Sequence, residues 1–272
     1  MIPLLAQRRL IGVVHLAPTP GAAAWTGSTA GSSAAMARSL EGAIRDSRAY
    51  VEGGVDALIV ENFHDAPFVK TGVEPAAIAA LALAVDRVRS VPGVAEVGVN
   101  VLRNDAHAAL GIAAATGATF VRVNVHTGSM FTDQGLVEGR SSETMRERAR
   151  ICPEVFVLAD VHVKHATPVP GEALEDAARD AVHRGRADGL IVSGVATGAP
   201  PDVARIARVR DAVGADVPLL VGSGLRVDNA KALLAQADAA IVGTAAKVDG
   251  NVAEPVDVAR VRALMAAATP VR

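Results

Sequence analysis

Short apolar runs recur along the whole chain, separated by stretches in which apolar positions repeat at helical spacing. The runs are LIGVVHL (10–16), DALIVEN (56–62), VAEVGVNV (94–101), TFVRVNVH (119–126), VFVLADVHVKHA (155–166), DGLIVSG (188–194), VPLLVGSG (217–224) and DAAIVGT (238–244). Each is rich in Val or Ile and bounded by turn residues, so eight strands are predicted. The stretches at roughly 36–53, 74–90, 104–116, 140–150, 172–185, 201–213, 226–236 and 255–268 read as helices. Asn104 is placed as the cap of the third, and Pro255 in the first turn of the last. Eight strand-then-helix units with no change of composition predict an α/β fold, a single (β/α)8 TIM barrel over 1–272. A doubly wound sheet is the alternative, but it gives no reason to stop at eight.

Connections are unequal. The loop at about 17–36, APTPGAAAWTGSTAGSSAA and its neighbours, is long, small-residue-rich and carries the only tryptophan, Trp25. FHDAPFVKTGV after the second strand and TGSMFTDQGLVEGR after the fourth are also long. All three follow strand C-termini, where barrels build their sites.

A barrel strand turns one face to the helices and the other to the interior. In the fifth predicted strand Val155, Val157, Ala159, Val161 and Val163 then face out, while Phe156, Leu158, Asp160, His162 and Lys164 face in. The fourth sends Val121, Val123 and Val125 outward and Arg122, Asn124 and His126 inward. His15, Glu61, Asn62, Asn100 and Ser193 join from other strand ends. Burying so many polar groups costs several kcal/mol unless they satisfy one another or a ligand. One use is structural, an Arg122–Asp160 ion pair inside the barrel. The others are chemical: Lys164 as base, Schiff-base amine or holder of a phosphate or enolate, or Asp160 and His162 with His126 or Glu61 as ligands of a divalent metal.

The seventh and eighth predicted strands end in VGSGL and VGTAAKVDG. Gly222, Ser223 and Gly224 with Gly243 and Thr244 suit close backbone approach to an anion before a helix start, a usual phosphate site of barrels. The competing reading is tight turns that need glycine for geometry. Lys247 is either an assistant or a solvated surface lysine.

Composition narrows the partners. The formal charge is −2 and no basic block occurs, which argues against nucleic acid or anionic lipid and for a small molecule. The single cysteine, Cys152, rules out an internal disulfide and fits a reducing cytoplasm. MIPLLAQRRLIGVVHL loosely mimics an export signal, but its apolar run is short and broken by His15, and nothing approaches the ~20 apolar residues of a membrane span. A homo-oligomer is compatible with all of this.

In order along the chain, GVVHLAPTPG, ENFHDAPF, VRVNVHTG, TDQGLVEGR, LADVHVKHA, VSGVATG, VGSGL and IVGTAAKVDG resemble the signature segments of the BtpA/SgcQ family. The resemblance implies a ribulose-phosphate-binding type of TIM barrel. It carries His15, Glu61, Asn62, Asp65, Asn124, His126, Asp133, Asp160, His162, Lys164 and the glycine turns as site positions. Two functions follow as expectations. One is an enzyme acting on a phosphorylated sugar or ribosyl compound by isomerase, aldolase/lyase or glycosyl-bond chemistry. Asp160 or Glu61 would be its base, His162 or Lys164 its acid or electrophile, and Asn62 and Asn124 would orient hydroxyls. The other is a non-catalytic assembly factor like the photosystem-biogenesis member that names the family, retaining a ligand-binding barrel.

Overall fold

The computed structural model describes residues 10–70, 72–194 and 202–269. The residues before Leu10, most of the VSGVATG segment and Pro201 at the predicted start of the sixth helix lie outside them. Strands β1 (Leu10–His15), β2 (Ala57–Glu61), β3 (Glu96–Asn100), β4 (Phe120–Val123), β7 (Phe156–Val161), β9 (Gly189–Val192), β10 (Leu219–Val221) and β11 (Ala239–Val242) close into a parallel barrel. β1 pairs with both β2 and β11, which removes every free edge from the main sheet. Tyr50 fastens that seam: its buried hydroxyl donates towards Val13 O and Val242 O at 3.3 and 3.0 Å. Gly12 makes this fit, because a Cβ there would meet the Tyr50 ring at 2.6 Å.

The helices cover the barrel in chain order: α1 (Gly27–Ala30), α2 (Ser32–Glu52), α3 (Pro75–Arg89), α4 (Ala106–Thr116), α5 (Ser141–Ile151), α6 (Leu174–Arg179), α7 (Val203–Val213), α8 (Ala230–Leu233) and α9 (Val258–Ala268). Their apolar faces pack on the outward strand residues, such as Val121, Val157, Ala159 and Val161. Inside the barrel Ile11, Val13, Ile59, Phe120, Leu158, Ile191, Leu220 and Ile241 form a separate apolar plug. Gly98 admits the Phe120 ring, which a Cβ would overlap at 2.2 Å. Polar inward residues therefore sit above a dry floor, at the C-terminal mouth.

Four local expectations are corrected. The loop at 17–36 is partly helical, with α2 beginning at Ser32 rather than 36. Asp105, not Asn104, caps α4 by accepting from Ala108 N, while Asn104 exchanges two hydrogen bonds with the Val125 backbone. Asp257 caps α9, and Pro255 lies ahead of the helix. The long segment after β4 is a hairpin, β5 (Ser129–Thr132) and β6 (Gly135–Glu138), joined by β8 (Ala166–Pro168) in a second sheet. Met130 and Val137 of the hairpin pack down on Val125 and Val163. Phe131 and Leu136 point the other way and stay exposed.

Candidate functional site

Above the plug, Arg122 and Asp160 form a bidentate pair, Nε–Oδ2 2.8 Å and Nη2–Oδ1 2.9 Å, with side-chain exposures of 2% and 0%. Asn124 Nδ2 donates to Asp160 Oδ2 at 3.0 Å and Ser193 Oγ to Oδ1 at 3.4 Å. Burial works against the charge of Arg122, but the adjacent carboxylate outweighs it and raises the guanidinium pKa. Both Asp160 oxygens, the ones expected to serve as a base, are thus engaged by Arg122, Asn124 and Ser193. Asn124 and Ser193 are occupied by the same carboxylate.

One layer higher, a cavity of about 680 Å³ opens at the mouth, lined by His15, Glu61, Phe63, Arg122 and Lys164 and by the turns at 222–225 and 243–245. Glu61 is buried and accepts from Asn100 Nδ2 at 2.8 Å through Oε2. The Lys164 side chain makes no hydrogen bond or ion pair among the described residues. Burial is the main cause of its lowered amine pKa, with Glu61 the strongest opposing influence. His15 is held well below the usual imidazole range by burial, then by Lys247, His64 and Lys164, so it is neutral at pH 7. Its ring lies 4.7 Å from Phe63, and its Nδ1 has no partner.

In the first of these turns, Ser223 is buried and its Oγ has no hydrogen-bond partner. The amides of Ser223 and Gly224 donate to no group among the described residues, whereas Gly222 N is used by Val192 O at 2.8 Å. Gly222 and Gly243 have a steric role as well. A Cβ at Gly222 would meet Ser193 Oγ at 2.4 Å, and one at Gly243 would meet His15 at 2.8 Å. The segments that follow, Thr244–Ala246 and Ala230–Leu233, are single turns, so backbone amides and Ser223, rather than a helix dipole, are what these turns offer an anion.

A family model described as the BtpA family matches residues 6–270. The chain belongs to the BtpA family. It is 46% identical over 258 residues to the Photosystem I biogenesis protein BtpA of Synechocystis sp., covering 95% of this chain and 87% of that one. Among solved structures, thiamine phosphate pyrophosphorylase from Pyrococcus furiosus matches at TM-score 0.61 with 14% identity, covering 97% of both chains. Orotidine 5'-phosphate decarboxylase from Pyrococcus horikoshii matches at 0.54 with 16% identity, covering 96% of this chain and 100% of that one. At such identities the likeness is one of fold, a TIM barrel.

Several expected site residues of this BtpA-family barrel do not reach the cavity. His162 is turned aside by a positive φ of 48°, and its Nε2 lies 3.1 Å from Glu172 Oε2. His126 sits with Nε2 2.8 Å from Gly185 O, away from the mouth. Asn62 grips the Leu102 backbone and Asp65, and Asp65 in turn accepts from Thr19 N and Thr19 Oγ1, both at 2.7 Å. Those two residues brace the long first loop. Asp133 is exposed at the hairpin turn beside Gln134. Asp160, His162, His126 and Glu61 thus point into four different surroundings and do not form the metal set weighed from sequence. Among the described residues no other group of three His, Cys, Asp or Glu side chains converges as a metal site either. Lys247 is neither solvated nor an anion ligand; it is buried with Nζ 2.6 Å from Asp46 Oδ2.

Sequence reasoning overlooked Phe63, Arg103, Arg226 and Arg260. Arg103 is buried and donates to Lys164 O at 2.8 Å, fixing the backbone that aims the lysine. His162 and His165, with φ of 48° and 56°, flank Lys164 in the left-handed region, a costly conformation held in place by its surroundings. The signal available was the row of histidines in VHVKHA, a residue type enriched at such positions.

Proposed function

We propose that this BtpA-family protein is an enzyme acting on a small phosphorylated sugar or ribosyl compound at the barrel mouth. The observation that carries the reading is that one cavity is lined by Lys164, Glu61, the unpartnered Ser223 hydroxyl and the glycine turns. The phosphate sits at 222–224 and 243–244, accepting from Ser223 Oγ and the adjacent amides. The sugar carbons then lie over the barrel centre. Enzymes whose names carry a phosphate compound share the fold, which supports the ligand class.

Lys164 carries the chemistry. Burial favours its neutral amine, which serves either as a proton acceptor or as a nucleophile towards a carbonyl. Glu61 is the second proton-transfer group, oriented by Asn100. Neutral His15, with a free Nδ1, is placed to donate or relay a hydrogen bond to a sugar oxygen. These roles fit isomerisation or carbon–carbon cleavage next to a carbonyl better than a mechanism based on Asp160, whose oxygens are taken. The reducing cytoplasm suits an enzyme of this kind.

Thermal-shift screening tests the reading. Ribose 5-phosphate and related sugar phosphates are expected to raise the unfolding midpoint of the wild type by a few degrees and to leave Ser223→Asp unmoved. That variant places a negative charge where the phosphate would bind. Equal shifts in both proteins, or none in either, would refute the anion site.

A second reading, an assembly factor, draws on the name of the Synechocystis relative and on one surface feature. Phe131, Leu136 and Val169 are exposed together on the outer face of the β5–β6–β8 sheet, at 49%, 37% and 40%. The two readings separate cleanly, because charging Phe131 and Leu136 would affect a docked partner but not a sugar phosphate in the barrel.

A further inference from the structure

The cavity does not stop at the glycine turns. Beyond them it runs on between the turn after β10 and helix α9, lined by Leu225, Val227, Ala263 and Leu264, with Arg226 and Arg260 at this outer end. A volume of about 680 Å³ falls within the roughly 300–1,000 Å³ typical of drug-sized ligands. A pentose monophosphate reaching from Lys164 to Ser223 would leave the outer arm empty.

The two arginines differ in what they have left to offer. Arg226 is committed to Asp228, through Nε at 3.2 Å and Nη2 at 3.5 Å. Arg260 has no ion-pair partner among the described residues. Its Nε donates to Ala245 O at 3.0 Å, which ties the guanidinium to the anion-holding turn and leaves its other N–H groups unengaged. An exposed guanidinium without an ion-pair partner among the described residues thus lines the same cavity as the unpartnered Ser223 hydroxyl, beside an apolar wall.

We infer that the ligand is a diphosphate-linked sugar or ribosyl compound: one phosphoryl group at Ser223 and the glycine turns, the next against Arg260, and a further organic group along Leu225, Val227 and Ala263. The inference rests on the proposed phosphate site and extends it from a terminal to an internal phosphoryl group. Arg260 contributes a charge-assisted hydrogen bond that a monoester does not reach.

Calorimetric titration separates the cases, with orthophosphate, inorganic pyrophosphate, ribose 5-phosphate and ADP-ribose as probes on the full chain. Pyrophosphate is expected to bind about tenfold tighter than orthophosphate, and ADP-ribose at least about tenfold tighter than ribose 5-phosphate. Arg260→Ala should erase both preferences, with any loss in ribose 5-phosphate affinity far smaller than the loss for ADP-ribose. Ala263→Phe, at an exposed position, should block ADP-ribose alone and guards against a variant that disturbs the turn. If ribose 5-phosphate binds but ADP-ribose is no tighter, or if the preference survives both substitutions, the diphosphate inference fails and the phosphate site stands. If none of the four probes binds, both fail.

Discussion

Asp160→Ala is expected to lower the unfolding free energy by about 3–5 kcal/mol, because it strands a buried guanidinium. Arg122 is only 2% exposed, and the lost carboxylate also held Asn124 and Ser193. Asn124 Oδ1 already lacks a partner, so the substitution would leave that buried amide paired at neither end. Chemical denaturation monitored by circular dichroism reads the loss directly. A cost under about 1 kcal/mol would mean that water reaches the guanidinium, contrary to its burial.

Lys164→Met is expected to abolish turnover and yet to stabilise the fold. The methionine keeps the length of the side chain and removes a half-buried amine that has no hydrogen-bond or ion-pair partner among the described residues, a gain of order 1 kcal/mol or about 2–4 °C in midpoint. The pH dependence has a definite sign. The lysine amine is more easily protonated in the unfolded chain than in the folded one, because burial lowers its folded pKa. Its charge therefore penalises the folded state below the lowered pKa. The stability advantage of Lys164→Met should be fully present below that lowered pKa and shrink as pH rises from it towards the ordinary lysine value. Parallel melts of both proteins between pH 6 and 10 measure it. An advantage that is absent, or that grows with pH, would show that Lys164 is well solvated or paired.

The barrel was legible because its physics is local and repetitive: each outward valine row had to meet a helix, and each strand ended in turn residues. Even the anchor pair was readable, since Arg122 and Asp160 face inward on adjacent strands, Asp160 two residues beyond Leu158, the register partner of Arg122. The rim was harder. Alternation in DVHVKHA continues on paper past Val161, but the chain leaves the strand at His162 through a left-handed residue, and no periodicity announces such a turn. Everything beyond that point changes direction, so Lys164 reaches the cavity while His162 is carried to Glu172. The β5–β6 hairpin was missed for a related reason. Its strands are four residues each and half-covered, and they gain stability from Val125 and Val163 rather than from their own sequence. Arg260 gave no sequence signal at all, because its importance comes from lacking an ion-pair partner in the fold.

The central claim is that one cavity holds a phosphoryl group at Ser223 and presents the attached sugar to Lys164. A crystal structure with ribose 5-phosphate tests it most directly. Phosphoryl oxygens are predicted within hydrogen-bonding distance of Ser223 Oγ and the amide of Gly224, with the sugar between Lys164 and Glu61. A sugar phosphate seated elsewhere, for example in the outer groove near Asn104 and Arg140, with the barrel mouth left to solvent, would contradict it.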